Sequence, residues 1–189
     1  MADCSEICGE DCISLFEHLQ SCNYLSPELV LDLMLELAAG LSLLHSQNIV
    51  YLNWSSKNIL VHQDPYGKVC VKFINFEASV IAGTILDLQS FLPIHLLSPE
   101  VLENKIVELS CDLWGVGCLL YELTTGHSVW YQYRHTSKSE LLSAMKNERH
   151  PEPPDRYYSL KPLYQECWKM NPIERVDVVG LQELLSKNR

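Results

Sequence analysis

The 189-residue sequence predicts a mainly α domain carrying one small β-hairpin, an α+β arrangement. Three observations predict it. Apolar residues recur at helical spacing behind Ser26-Pro27-Glu28; two short apolar runs flank Asp64-Pro65-Tyr66-Gly67; and CDLWGVGCLLYELTTG reads as an apolar helix that tolerates two glycines.

The elements follow in order. Leu15 to Gln20 reads as a short helix. Ser26 then offers a capping hydroxyl, Pro27 suits the first helical position, and Glu28 faces the positive end of the helix dipole. Val30, Leu33, Met34, Leu37, Leu41 and Leu44 share one face, so a long, mostly buried helix ending near His45 is expected. IVYLNWSSKNILV begins and ends as buried strand around a polar, aromatic insert, YLNWSSK. Ile59 to Val61 and Val69 to Phe73 make the hairpin, with a turn sequence between them. From Asn75 to Pro99 periodicity is lost and a long loop with short local turns is expected. The helix of CDLWGVGCLLYELTTG, stopping at Gly126, is apolar on nearly all faces and should be central. Helices over Lys138 to Asn147, Leu160 to Met170 and Val178 to Ser186 complete a single domain, residues 12–189, behind an acidic, cysteine-bearing segment, residues 1–11.

Charge narrows the partners. The formal net charge is −10, and no Lys or Arg occurs from Met1 to Ser56, which argues against nucleic acid and admits a basic protein surface at that end. The acidic N-terminus does not resemble a secretory signal, and no run of eighteen uncharged apolar residues occurs, so a cytoplasmic protein without a membrane partner is expected. Cys70, Cys118 and Cys167 sit in apolar patterns and read as reduced core thiols. Cys4, Cys8 and Cys12 repeat every four residues, a spacing unlike the paired CxxC of zinc sites, and no metal is expected.

The sequence resembles the C-terminal lobe of a protein kinase, from Leu15 to the end, and is closest to the tyrosine-kinase and tyrosine-kinase-like branches. IVYLNWSSKNILV is similar to the catalytic loop IVHRDxxxxNILV, VKFINFEAS to VKIxDFGxS, and LLSPEVL to the APE motif. CDLWGVGCLLYEL is similar to SDVWSxGxxLxEL, and CWKMNPIERVDV to CWxxxPxxRPxF. The resemblance implies a role in signalling. It also implies an N-terminal lobe with a glycine-rich loop and a strand lysine, neither of which occurs here. The chain is therefore expected to begin near the hinge between lobes, with residues 1–11 as its remnant.

Departures from the family pattern shape the expected function. Asn53 stands where the family has its proton-accepting aspartate, and Asn75 where it has the metal-binding aspartate; Asn58 keeps the identity of the metal-binding asparagine. An amide has no ionisable oxygen near neutral pH, and a positioned base is worth about 10²–10⁴-fold in rate. Leu52 replaces the arginine that receives an activation-loop phosphate, and Glu77 replaces a glycine. The expectation is thus a non-enzyme, a pseudokinase with no catalytic residue. ATP and magnesium should bind weakly or not at all, through a vestige of Asn58 and Asn75.

Other residues match the family's supports. Phe76 and Tyr51 imply a stacked apolar column, and Asp112 implies a carboxylate that holds the backbone from Tyr51 to Asn53, although a simple helix cap is an alternative. Glu100 and Arg175 imply an ion pair. Trp54 and Trp114 read as core, whereas Trp130, Tyr131, Tyr133 and Arg134 are a protein-contact candidate. The leading reading is a scaffold or allosteric regulator that binds a protein, either a kinase or a basic surface, and that could self-associate through an exposed cleft face. The alternatives are residual kinase activity in a longer form, or a fragment without an independent role.

Overall fold

Strand β1 (Ile13–Ser14) runs directly into helix α1 (Leu15–Ser21) in this computed structural model, which describes residues 12–22, 25–64, 66, 68–86, 92–147 and 152–189. Residues 1–11, with Cys4 and Cys8, lie outside the described residues, as does the expectation of a separate N-terminal segment. Ser14 and Glu17 cap α1 reciprocally. Ser14 Oγ accepts from the Glu17 N–H at 3.2 Å, and a Glu17 carboxylate oxygen accepts from the Ser14 N–H at 2.9 Å.

Helix α2 (Pro27–Ser46) starts as the sequence predicts, with Ser26 Oγ accepting from the Leu29 N–H at 3.2 Å and proline in the first turn. By length and composition alone α2 could cross a membrane. In the fold, however, Val30, Leu33, Met34, Leu37 and Leu41 are buried, and α2 packs against β4 and the last helix. Fully burying such a side chain is worth about 1.5–3 kcal/mol, so these contacts account for its apolar face.

Next come strand β2 (Ile49–Val50), a 3-10 turn (Ser56–Asn58), strands β3 (Ile59–Gln63) and β4 (Val69–Phe73), a second 3-10 turn (Phe76–Ala78) and strand β5 (Val80–Ile81). The predicted hairpin is present, and β1 adds a third strand that the sequence did not reveal. The order is β1-β3-β4, antiparallel, with Ile13 opposite Val61 and Ile59 opposite Phe73. A separate ribbon pairs β2 with β5, Ile49 opposite Ile81 and Val50 opposite Val80. This corrects the expected loop from Asn75 to Pro99. That stretch holds β5 and a bridge between Ile85 and Ile106, while its 3-10 turns at Phe76–Ala78 and Ile94–Leu96 are the short local turns expected there. Two-residue strands show no alternation, and their partners lie far off in sequence.

The remaining helices are α3 (Pro99–Asn104), α4 (Ser110–Thr125), α5 (Lys138–Asn147), α6 (Lys161–Cys167) and α7 (Val178–Lys187). The molecule is mainly helical with two small sheets. Helix α4 is its centre, buried continuously from Cys111 to Leu120, and it ends at Gly126 in the left-handed conformation, φ +74°. The helix predicted over residues 160–170 is instead a 3-10 segment (Asp155–Leu160) followed by α6, which stops at Cys167. Cys118 and Cys167 are fully buried, and burial pushes both thiols up to about 12. Cys70, by contrast, is only half-buried.

Candidate functional site

The two sheets place two loops side by side. Strands β2 and β3 bound residues 51–58, while β4 and β5 bound residues 74–79, so the β2–β5 and β3–β4 pairings fix both ends of both loops. Between them the Ile74 N–H donates to the Asn58 carbonyl at 3.0 Å, and Ser79 Oγ donates to the Tyr51 carbonyl at 3.2 Å.

Asp112, in the first turn of α4, is fully buried beneath the first loop. Its Oδ2 accepts from the Tyr51 N–H at 2.8 Å and lies 3.0 Å from His45 Nε2; its Oδ1 accepts from the Leu52 N–H at 2.9 Å and from the Trp54 indole N–H at 2.6 Å. Facing a carboxylate, His45 Nε2 acts as the donor. Such bonds make a buried carboxylate tolerable. The expected grip from Tyr51 to Asn53 is corrected in one detail. The Asn53 N–H turns back to the Tyr51 carbonyl at 2.9 Å, and the Trp54 ring takes its place on Asp112. Asp112 does not cap its own helix, whose N-cap residue is Leu109.

The grip holds an unfavourable backbone. Leu52 has φ +63°, a left-handed conformation costly for leucine. Carboxylate bonds to its own N–H and to that of Tyr51 hold it there. Leu52 and Tyr51 are both buried. The Tyr51 hydroxyl donates to the Ile74 carbonyl at 2.7 Å, and burial, then the nearby Asp112 charge, push its pKa upward, keeping it a donor.

The expected stacked column is instead an edge-on cluster. The Tyr51 ring meets Trp54, Phe73 and Phe76 at centroid distances of 5.5, 5.0 and 5.4 Å, and Phe76 is 46% exposed. Trp54 is buried against α4, where Gly115 makes room for it; a Cβ at Gly115 would overlap the indole.

Above this support, three amides close on one another. Asn53 Nδ2 donates to the Asn75 carbonyl at 3.0 Å, Asn75 Nδ2 donates to Asn58 Oδ1 at 2.8 Å, and Asn58 Nδ2 donates to the Asn53 carbonyl at 3.3 Å. The structure thus brings together the three asparagines the sequence singled out. Asn75, at φ +57°, takes a left-handed conformation that asparagine tolerates better than most residues. The ring is neutral and needs no cation to hold it. Its side-chain oxygens are amide carbonyls without a carboxylate, a donor set that does not fit a tightly held hard dication. Among the described residues no group of three or more His, Cys, Asp or Glu is placed to hold a metal.

A second tether escaped the sequence reading. Glu122, on α4, accepts from Ser56 Oγ at 2.8 Å and from the Ser56 N–H at 3.3 Å, and burial pushes its carboxyl above the usual range despite these bonds. The contact spans 66 positions, so nothing local in the sequence marks it.

Glu100 and Arg175 pair with each other and do not join the amide ring. Arg175 donates to both Glu100 oxygens, at 2.7 and 3.1 Å, and to the carbonyls of Ser110 and Lys169. Burial alone would raise the Glu100 carboxyl, but the guanidinium outweighs it and holds the group below its ordinary value.

A groove of about 930 Å³ opens beside the ring, lined by Asn53 and Asn58 and by the sequence-distant Tyr131 and Arg134. Trp130, expected with those two as a contact residue, is buried instead.

The family model for the protein kinase domain matches residues 4–187. The serine/threonine/tyrosine-protein kinase HT1 of Arabidopsis thaliana is 29% identical over 169 residues, 86% of this chain and 41% of its own length. Mitogen-activated protein kinase kinase kinase 12 of Rattus norvegicus is 28% identical over 173 residues, 90% of this chain and 18% of its own length. A putative neurotrophin receptor, LTRK 1, of Lymnaea stagnalis is 28% identical over 168 residues, 85% of this chain and 20% of its own length. The chain thus spans 41% of the first of these relatives and 18–20% of the other two.

These matches overturn the expectation of a non-enzyme. A kinase-domain model fits nearly the whole chain, and relatives bearing the names of protein kinases align with most of it, which points to a protein kinase enzyme. The amide substitutions sit within that likeness and do not remove it. On this match the chain belongs to the protein kinase domain family.

Proposed function

We propose that the chain acts in signalling as a protein kinase-family domain that binds a protein partner beside the amide ring and transfers phosphate slowly to a protein hydroxyl. In this proposal residues 12–189 correspond to the C-terminal lobe, and ATP with magnesium binds weakly. The observation that carries the reading is the closed ring of Asn53, Asn58 and Asn75.

Positioning is supplied by this chain's own residues. Asp112 and Glu122 fix the loop that carries Asn53, and the groove beside it leaves a place for a substrate segment. A hydroxyl presented to Asn53 would meet an amide, which accepts a hydrogen bond but does not take the proton. The family likeness supports a serine, threonine or tyrosine acceptor, as in the name of the Arabidopsis relative.

The test measures transfer of labelled phosphate from ATP to a protein acceptor, for the native chain and for the Asn53→Asp/Asn75→Asp double variant. Restoring a base should raise the rate by about 10²–10⁴-fold. Equal rates in the two proteins would refute the assignment of slow transfer to the amides.

A further inference from the structure

The groove beside the amide ring carries a charge pattern opposite to that of the chain. We infer that it receives an acidic segment of a partner protein, whose Asp and Glu carboxylates meet Arg134 and Lys57, with the histidines His95 and His127 in the lining beside them. This rests on the protein-binding reading above and adds the chemistry of what binds.

The chain carries a net −10, yet these four side chains line one cavity of about 930 Å³ together with Asn53 and Asn58. Glu122 is the one carboxylate in the described lining, and its oxygens already accept from the Ser56 hydroxyl and N–H. Its charge acts on Lys57 electrostatically, but the two form no ion pair. Among the described residues neither Lys57 nor Arg134 has a carboxylate at ion-pair distance.

Both cations are instead seated on aromatic rings. Lys57 Nζ lies 4.8 Å from the centroid of Phe16, and the Arg134 guanidinium lies 3.9 Å from that of Tyr131 while donating to the Tyr131 carbonyl at 3.0 Å. A ring face orients a cation without neutralising it, leaving its charge for a ligand. Five guanidinium N–H donors allow Arg134 to keep its carbonyl bond and still grip a carboxylate.

His95 lines the same groove. It is 8% exposed, its Nε2 lies 3.2 Å from Ser128 Oγ, its ring meets Tyr131 edge-on, and its buried Nδ1 has no hydrogen-bond partner among the described residues. Burial and the facing Arg134 push the His95 pKa down to about 4, which makes it a neutral donor or acceptor near pH 7 and leaves Arg134 and Lys57 as the cations. The overall negative charge would repel a long polyanion, so a short acidic stretch fits better than nucleic acid.

The test is fluorescence anisotropy on the full chain without ATP. Equal-length peptides rich in Asp and Glu, rich in Lys, or neutral are compared with single-stranded RNA, at low and high salt. The acidic peptide should bind about tenfold tighter than the others and weaken with salt. Lys57→Glu/Arg134→Glu should abolish that preference, whereas Lys187→Glu, outside the groove, should keep it. Circular dichroism melting checks the fold, and should the double variant melt early, Arg134→Gln, at an exposed position, should lower affinity in the same direction. Indifference to peptide charge, unchanged binding by the groove variants, or equal binding of RNA would each overturn the inference. Binding is read without phosphate transfer, so acidic-peptide binding alongside equal transfer rates in the native chain and the amide-to-aspartate variant would refute slow transfer and leave the groove assignment standing.

Discussion

Asp112 satisfies three N–H donors and a histidine with two oxygens, and it does so out of reach of water. Changing it to asparagine keeps the shape but turns one acceptor into a donor facing other donors. Leaving a buried donor unpaired costs about 1–3 kcal/mol, and Asp112→Asn should lose at least that much stability in urea unfolding. Leu52, held at φ +63° by the same carboxylate, should relax first, which amide hydrogen exchange at Tyr51 and Leu52 would read. The Glu100–Arg175 pair is the other costly residue-level contact. Arg175→Ala strands a mostly buried carboxylate, and breaking such a pair costs about 3–5 kcal/mol, so a melting temperature equal to the native one would refute its structural role.

At the scale of elements, the fit between α4 and the loop over residues 51–58 depends on one missing side chain. Gly115 faces the Trp54 indole, which Asp112 pins by its N–H, so the ring cannot move aside without losing that bond. Gly115→Ala should therefore destabilise by about 1–3 kcal/mol, the usual range for overpacking. Trp54→Leu removes both the obstruction and the pinned ring, so the double variant should lose less than the sum of the two single losses. Strict additivity in a double-mutant cycle would show that the two sites do not communicate. The short strands act likewise through placement. β2 and β5 contribute only two residues each, yet their pairing sets where Asn75 falls relative to Asn53.

For the molecule as a whole, acid should act through Glu100. Its folded pKa lies below the ordinary 4.5, so the stability it contributes is present above pH 4.5 and is lost as pH falls through the depressed folded value. Urea midpoints of the native chain should decline over that acid range, and in Arg175→Ala, which lacks the guanidinium, this part of the decline should disappear. Much of the architecture was legible in the sequence because the signals are local. The Ser26-Pro27 start of α2, its apolar face, the stop of α4 at Gly126 and the β3–β4 hairpin each depend on neighbours a few positions apart. Asn53, Asn58 and Asn75 were legible as a group through family likeness. That they hydrogen-bond in a ring was not, and neither were the Ser56–Glu122 tether, the His45–Asp112 contact or the β2–β5 ribbon. The amino-acid order alone determined most of the helices and where most of them begin and end, though not α3, and that positions 53, 58 and 75 are amides. Only the folded chain decided that those amides satisfy one another and that a basic groove lies beside them, because such contacts join side chains dozens of positions apart and arise only once the core has packed.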